Sequence, residues 1–256
     1  MFKINPLVEE WQVNIFYLCL LNANLKIMTK QEILSHLKKI GNPAVIEQMK
    51  HFGIESPKAF GNTAPQLRTL QKQIGKNHKL ALSLWKTKFY EARILAALIA
   101  DPKLVTEEMM ESWVAEIDSW AVCDTCCGEL FCYTPFALQK VFEWSKRKEE
   151  YVKRAGFVLM AAFVIHRKEF KDDIFRSFFP LIVREANDER NFVRKGVNWA
   201  LRQIGKKNAS LHASALRVAK KLSASKNATA RWIGRDAVKD LHSAPVLRRI
   251  ERAKNK

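Results

Sequence analysis

Glycine and proline are scarce, at 9 and 8 of 256 residues. A β-rich chain needs more of both at its turns, so long helices are favoured. The apolar stretch over residues 13–21 is too short for a bilayer, which takes about 20 apolar residues. Glu9 and Glu10 precede it and no Ala-x-Ala-like cleavage site follows, which argues against a secretory signal. Cysteine is sparse and oddly distributed: Cys19 stands alone, and Cys123, Cys126, Cys127 and Cys132 fall within ten residues. That is not the pattern of a secreted disulfide framework, and reduced thiols in a cytoplasmic protein are expected. There is no Walker A loop, GxSxG elbow, HExxH pair or Gly-rich dinucleotide loop, which removes the reactions those motifs carry.

What is abundant is apolar surface and positive charge. Hydrophobic residues make up 48% of the chain, enough for a real core. Lysine and arginine number 44 against 26 acidic residues, a formal charge of +18. Residues 141–256 hold 28 basic and 12 acidic residues, so +16 of the +18 lies there. A folded, strongly basic half points to a polyanion, with nucleic acid ahead of an acidic membrane; a merely basic, solvated surface is the plainer reading.

From residue 29 the apolar spacing is helical. It predicts helices over 30–40, 43–51, 64–74, 77–87, 89–100, 106–116, 119–131, 135–147, 150–168, 171–185, 190–205, 209–223, 228–241 and 244–253. Thr29-Lys30-Gln31-Glu32 reads as a capping box. The folded domain, 28–256, is therefore expected to begin near Met28, with residues 1–27 as an extension, disordered or derived from an upstream start. Three helices open alike, at Val152-Lys153-Arg154, Val193-Arg194-Lys195 and Thr229-Ala230-Arg231, offset by 41 and then 36 residues. Glu91-Ala92-Arg93 opens an earlier helix in a similar way. This is close to the two-helix HEAT period. The expected fold is all-α, an α-solenoid of about six HEAT-like helical pairs forming a curved superhelix with a concave basic groove. Basic residues at one position per repeat would line that groove: Lys153, Arg154, Arg194, Lys195, Arg202, Arg231 and Arg235 are the candidates for phosphate contacts. The alternative is that these are ordinary solvated helix starts.

Trp120 and Asp124 stand four residues apart, on one face of a helix that Asp118 and Ser119 open. A carboxylate beside an indole in an apolar run is either a catalytic group or an aspartate satisfied by an arginine or a helix end. Trp199 shares a helical face with Lys195 and Arg202, as suits a sugar–phosphate backbone; it is otherwise a core anchor between repeats. Cys123-x-x-Cys126 has zinc spacing, but no second pair follows and His36, His51, His78, His166, His212 and His242 are scattered. The cysteines are read as small core residues, with no metal.

Four segments, Glu91–Asp101, Asp118–Phe131, Val152–Ala162 and Asp188–Gly205, resemble in order and spacing the AlkD-type family of DNA alkylation-repair glycosylases. The resemblance spans about residues 30–241. It implies a HEAT-like superhelix gripping duplex DNA and an enzyme, a monofunctional hydrolase, that excises cationic N3- and N7-alkylated purines without cofactor. By motif match it implies a catalytic set of Trp120, Asp124, Arg154 and Trp199, with Arg154 holding a phosphate. The partner implied is double-stranded DNA bearing alkylated bases, bound by a monomer away from membranes. The sequence departs from the family's best-known form, which has a second Trp beside the first and no cysteine cluster; here Ala121 follows Trp120. The rival reading is a non-catalytic HEAT-repeat protein that binds branched or bent DNA, or another protein.

Overall fold

The computed structural model describes residues 28–254, and all regular structure among them is helical. The chain opens with α1 (Lys30–Ile40), α2 (Pro43–His51), α3 (Ala64–Ile74), α4 (His78–Trp85) and α5 (Tyr90–Ile99). A 3-10 turn at Pro102–Leu104 leads to α6 (Glu107–Ala115) and α7 (Trp120–Glu129). A second, Phe131–Tyr133, leads to α8 (Ala137–Trp144), α9 (Glu150–His166), α10 (Asp172–Arg176) and α11 (Phe179–Glu185). The last elements are α12 (Asn191–Gly205), α13 (Ala209–Ser223), α14 (Ala228–Leu241) and α15 (Ala244–Lys254). The extension expected over residues 1–27, with its apolar stretch, lies outside the described residues.

Local chemistry sets most of these boundaries. The expected capping box is present: Glu32 N donates to Thr29 Oγ1 at 3.3 Å, and Thr29 N donates to Glu32 Oε2 at 2.9 Å. Asn42, Asn77, Thr106, Ser119, Asn208 and Asn227 cap their helices by accepting amide hydrogens with their side chains. The one helix expected over 171–185 is two, α10 and α11. Pro180 has no N–H for the Arg176 carbonyl and its ring crowds that position, so the chain breaks at Ser177–Phe178.

The helices stack in two rows. α5, α7, α9, α12 and α14 each pack on the next, forming the inner row. These include the helices with matched openings. α4, α6, α8 and α13 form the outer row, each packed on inner-row helices, as in an α-solenoid. The middle of the stack is α9, where every residue from Arg154 to Val164 is buried; a helix apolar on nearly all sides must be enclosed on all sides. Stacked indoles of Trp85 and Trp113, 4.0 Å between ring centroids, fasten α4 to α6. Glu91, fully buried at the start of α5, accepts amide hydrogens from Phe60, Gly61 and Asn62 at 3.0, 2.7 and 3.2 Å. That contact ties the loop after α2 to the inner row.

Gly156 is required where α9 crosses the end of α8. A Cβ there would lie 2.7 Å from the Ser145 backbone nitrogen, which cannot yield as a flexible side chain would. Gly156→Ala is expected to cost about 1–3 kcal/mol. Gly128, in α7, has nothing within 4 Å of the same position. Gly128→Ala should instead add about 0.5–1 kcal/mol. Urea denaturation of the two variants checks both signs.

Candidate functional site

A cleft of about 310 Å³ opens on the inner row where α7, α9 and α12 meet. Its walls are aromatic: Phe52, Trp120, Phe192 and Trp199. Asp124 and Arg154 form its floor and Lys195 its rim. Ser119 starts α7 by accepting the Val122 amide hydrogen, so Trp120 and Asp124 emerge one turn apart on the same face.

Asp124 and Arg154 form a two-pronged ion pair. Arg154 Nε donates to Asp124 Oδ1 at 2.9 Å and Nη2 donates to Oδ2 at 2.8 Å. The third guanidinium nitrogen, Nη1, donates to the Phe192 carbonyl at 2.7 Å. Three inner-row segments are thereby joined through one side chain. Arg154 is 5% exposed, and the Asp124 side chain keeps 22%. Burial pushes the Asp124 carboxyl above its ordinary range, and the adjacent Arg154 guanidinium offsets only part of that rise. Each carboxylate oxygen accepts one bond from Arg154 and retains capacity for another acceptor contact toward the cleft.

The aromatic walls are held both from the turn after α2 and from within the inner row. Trp120 Nε1 donates to the Phe52 carbonyl at 3.0 Å, bridging α7 to the turn after α2. Gly53, at φ +73°, lets that turn fold against the Phe192 ring. Phe192 in turn stacks on Tyr151, with centroids 5.7 Å apart.

All four residues of the expected catalytic set converge on this cleft, but Arg154 is turned toward Asp124 and Phe192. The expected phosphate ligands divide. Lys195 is exposed at the rim. Arg194 lies over the Trp232 ring, 5.1 Å from its centroid, and Arg231 and Arg235 line a shallow cleft with Trp232 on α14. Lys153, by contrast, is paired with Glu185 at 2.6 Å and Asp188 at 3.1 Å, and only 12% of its side chain is exposed. Arg202 is paired with Asp236 and Asp240, each at 3.1 Å. These two cations meet carboxylates of neighbouring elements, so their charge serves the joints between repeats. Arg231 also donates to the Ser225 and Lys226 carbonyls ahead of α14.

Two cleft residues had no place among the sequence candidates. Phe192 was within reach, since it precedes Lys195 by three and Trp199 by seven residues on one helical face. Phe52 carried no local signal, because its partner Trp120 is 68 residues away. The four cysteines of the α7 region are fully buried as small core residues. Burial drives the thiols of Cys126 and Cys127 well above their ordinary pKa. No grouping of three or more metal-ligating side chains occurs among the described residues.

Comparison with known proteins follows the same lines. A family model described as DNA alkylation repair enzyme matches residues 33–241. A solved structure reported as belonging to "a new family of proteins related to the HEAT-like repeat DNA glycosylases with affinity for branched DNA structures" superimposes with a TM-score of 0.71 at 19% identity. That match covers 83% of this chain and 95% of the other. A designed armadillo repeat protein aligns at a TM-score of 0.38 and 14% identity, over 85% of this chain and 97% of its own. No curated protein matches. Among the described residues no helix is long and apolar enough to cross a membrane.

The ion pair on the cleft floor makes a stability test. Arg154→Met strands a half-buried carboxylate and should destabilise by about 2–4 kcal/mol, less than a fully buried pair because Asp124 keeps some solvent. Adding Asp124→Asn to that variant should recover part of the loss. Equal destabilisation of the single and double variants in urea would contradict the coupling.

Proposed function

The chain belongs to the DNA alkylation repair enzyme family, and on that basis we propose that it is a monofunctional glycosylase hydrolysing the N-glycosidic bond of cationic N3- and N7-alkylated purines in duplex DNA. The observation that carries this reading is a carboxylate on the floor of an open cleft walled by four aromatic rings. Alkylation at N3 or N7 puts positive charge on the purine. When the C1′–N bond breaks, the bonding pair goes to the base, which leaves neutral, and the charge passes to the deoxyribose as in other glycoside cleavages. Asp124 stabilises that oxocarbenium-like sugar and orients the water that adds to C1′, whose proton leaves to the carboxylate or to solvent. Trp120, Trp199 and the two phenylalanines pack against the sugar and offer π faces to the developing charge. Arg154 acts as a positioning residue: it fixes both carboxylate oxygens and, through Phe192, one cleft wall. Lys195, Arg194, Arg231 and Arg235 are the phosphate contacts. No metal is needed for these steps.

A second reading, binding of branched or bent DNA without excision, is favoured by one observation. Both Asp124 oxygens already receive hydrogen bonds from Arg154, the arrangement of a structural pair. The solved structure of similar fold is described as having affinity for branched DNA structures; a pure binder, however, would have no use for a carboxylate lining the cleft.

Single-turnover release of 7-methylguanine from methylated duplex separates the two. The wild-type protein should release base, and Asp124→Asn should lower the rate on the order of 100-fold or more, because the carboxylate acts chiefly as charge develops. Binding to undamaged duplex should be kept or improved in that variant. No release by the wild-type protein under enzyme excess would leave the binding reading. Release should also fall as pH drops through the Asp124 pKa, since the ionised carboxylate is the active form. Burial raises that pKa, so the midpoint should lie above the ordinary aspartate range, and Arg154→Met should move it higher still. Arg194→Ala and Lys195→Ala should each weaken duplex binding irrespective of sequence and flatten its salt dependence by up to about one unit of slope.

A further inference from the structure

A second cleft, of about 320 Å³, lies at the α5–α7 end of the inner row. Lys58, Lys88, Arg93, Glu116 and Asp118 line it. Asp118 immediately precedes Ser119 and Trp120, so this cleft adjoins the aromatic one along the row.

Three features set it apart from a chance surface hollow. The first is charge balance. Arg93 is 3% exposed; its Nη1 donates to the Glu116 carbonyl and its Nη2 to Glu116 Oε2, both at 2.8 Å, and Nη1 lies 3.5 Å from Asp118. That one guanidinium faces two carboxylates, so it offsets half of the acidic rim and, with the two lysines, the lining carries a formal charge of +1. Lys58 and Lys88 are exposed and form no ion pair among the described residues, so their charge is left for a ligand. The second is a spare donor: Arg93 lies over the Trp85 ring, 4.9 Å from its centroid, and its buried Nε has no hydrogen-bond partner among the described residues. The third is backbone strain. Lys88 adopts φ +62°, the positive-φ conformation that glycine takes freely and that a lysine occupies at a cost. The Tyr90 amide donates to the Lys58 carbonyl at 2.8 Å, joining the two lysine-bearing segments at the start of α5.

Position in the repeat gives the ligand class. Arg93 opens α5 as Arg154 opens α9, in Glu91-Ala92-Arg93 and Val152-Lys153-Arg154. Each guanidinium pairs with carboxylate on or just before α7, and a further cation stands near the mouth, Lys195 in one cleft and the lysine pair in the other. We infer that the α5–α7 cleft seats a backbone phosphodiester of the duplex, on the opposite side of the aromatic cleft from the α14 contacts; this rests on the DNA-binding reading above. Lys58 and Lys88 meet its non-bridging oxygens. The protein thereby grips the strand on both sides of the reactive nucleotide, with one anchor in the half of the chain where formal charge is nearly balanced.

The test is salt-dependent binding of a fluorescein-labelled, undamaged duplex to the full chain. Lys58→Ala with Lys88→Ala should weaken binding several-fold and reduce the slope of log affinity against log salt by about 0.9, the value for one phosphate contact. Lys88→Gly separates function from folding: it should weaken duplex binding while leaving the melting temperature unchanged or higher. If the wild-type protein binds duplex and the double variant binds with the same affinity and slope, the phosphate site is wrong and the DNA-binding reading survives. A Lys88→Gly protein that loses stability and binding together would also overturn it, by making the lysine structural. Failure of the wild-type protein itself to bind duplex would reject the DNA-binding reading and this site with it.

Discussion

The Asp124–Arg154 pair governs how the inner row is held together and what its cleft contains. Arg154 spends all three guanidinium nitrogens, two on the carboxylate of α7 and one on the Phe192 carbonyl at the start of α12. A lysine could not do this, since an ammonium has neither the planar fork nor the reach to three partners at fixed angles. The pair also resolves an electrostatic conflict. A bare carboxylate at this depth would be costly to bury and would repel any anion that approached the cleft. Paired, it is carried at little net charge, yet its side chain keeps 22% exposure and lines the cleft. The remaining geometry follows from this: Phe192 is placed by its carbonyl, Trp120 by its position one turn before Asp124, and Trp199 by its place two turns after Phe192.

The polar joints between repeats follow a common rule. Lys153 with Glu185 and Asp188, Lys140 with Glu107 and Glu111, and Arg202 with Asp236 and Asp240 all join side chains that are far apart in sequence and adjacent in the stack. Lys140 is the most enclosed, 3% exposed; burial would lower its pKa, and the carboxylates of Glu107, Glu111 and Glu143 more than offset that. In a solenoid each repeat touches only its neighbours, so such joints are where register between repeats is fixed. They also absorb positive charge that composition alone would assign to a ligand.

Periodicity and capping chemistry made the helical stack legible from the sequence. The Thr29 box, the asparagine caps and the apolar spacing are local signals, and the matched openings at Glu91, Val152 and Val193 reveal inner-row helices before any coordinates. The split at Ser177–Phe178 was also written locally, in Pro180. Trp120, Asp124 and Trp199 were legible because helical spacing and the family resemblance agreed. What sequence could not supply was partnership across the stack. Lys153 and Arg202 read as free cations because their carboxylates lie more than thirty residues away. Phe52 was invisible because its carbonyl is recruited by an indole two repeats later. The lysine pair at the α5–α7 end was missed because its half of the chain has almost no net charge.

The cysteine-rich face of α7 bears on how such a protein would endure its own working conditions. Small electrophiles that methylate purines also attack thiolates, and they do so in proportion to the ionised fraction. Cys123, Cys126, Cys127 and Cys132 have no exposed surface, and burial keeps the Cys126 and Cys127 thiols protonated at neutral pH. The sulfurs directly behind the Asp124 helix are therefore poor nucleophiles as well as inaccessible ones. These four sulfurs are thereby shielded from small electrophiles for as long as the stack stays folded.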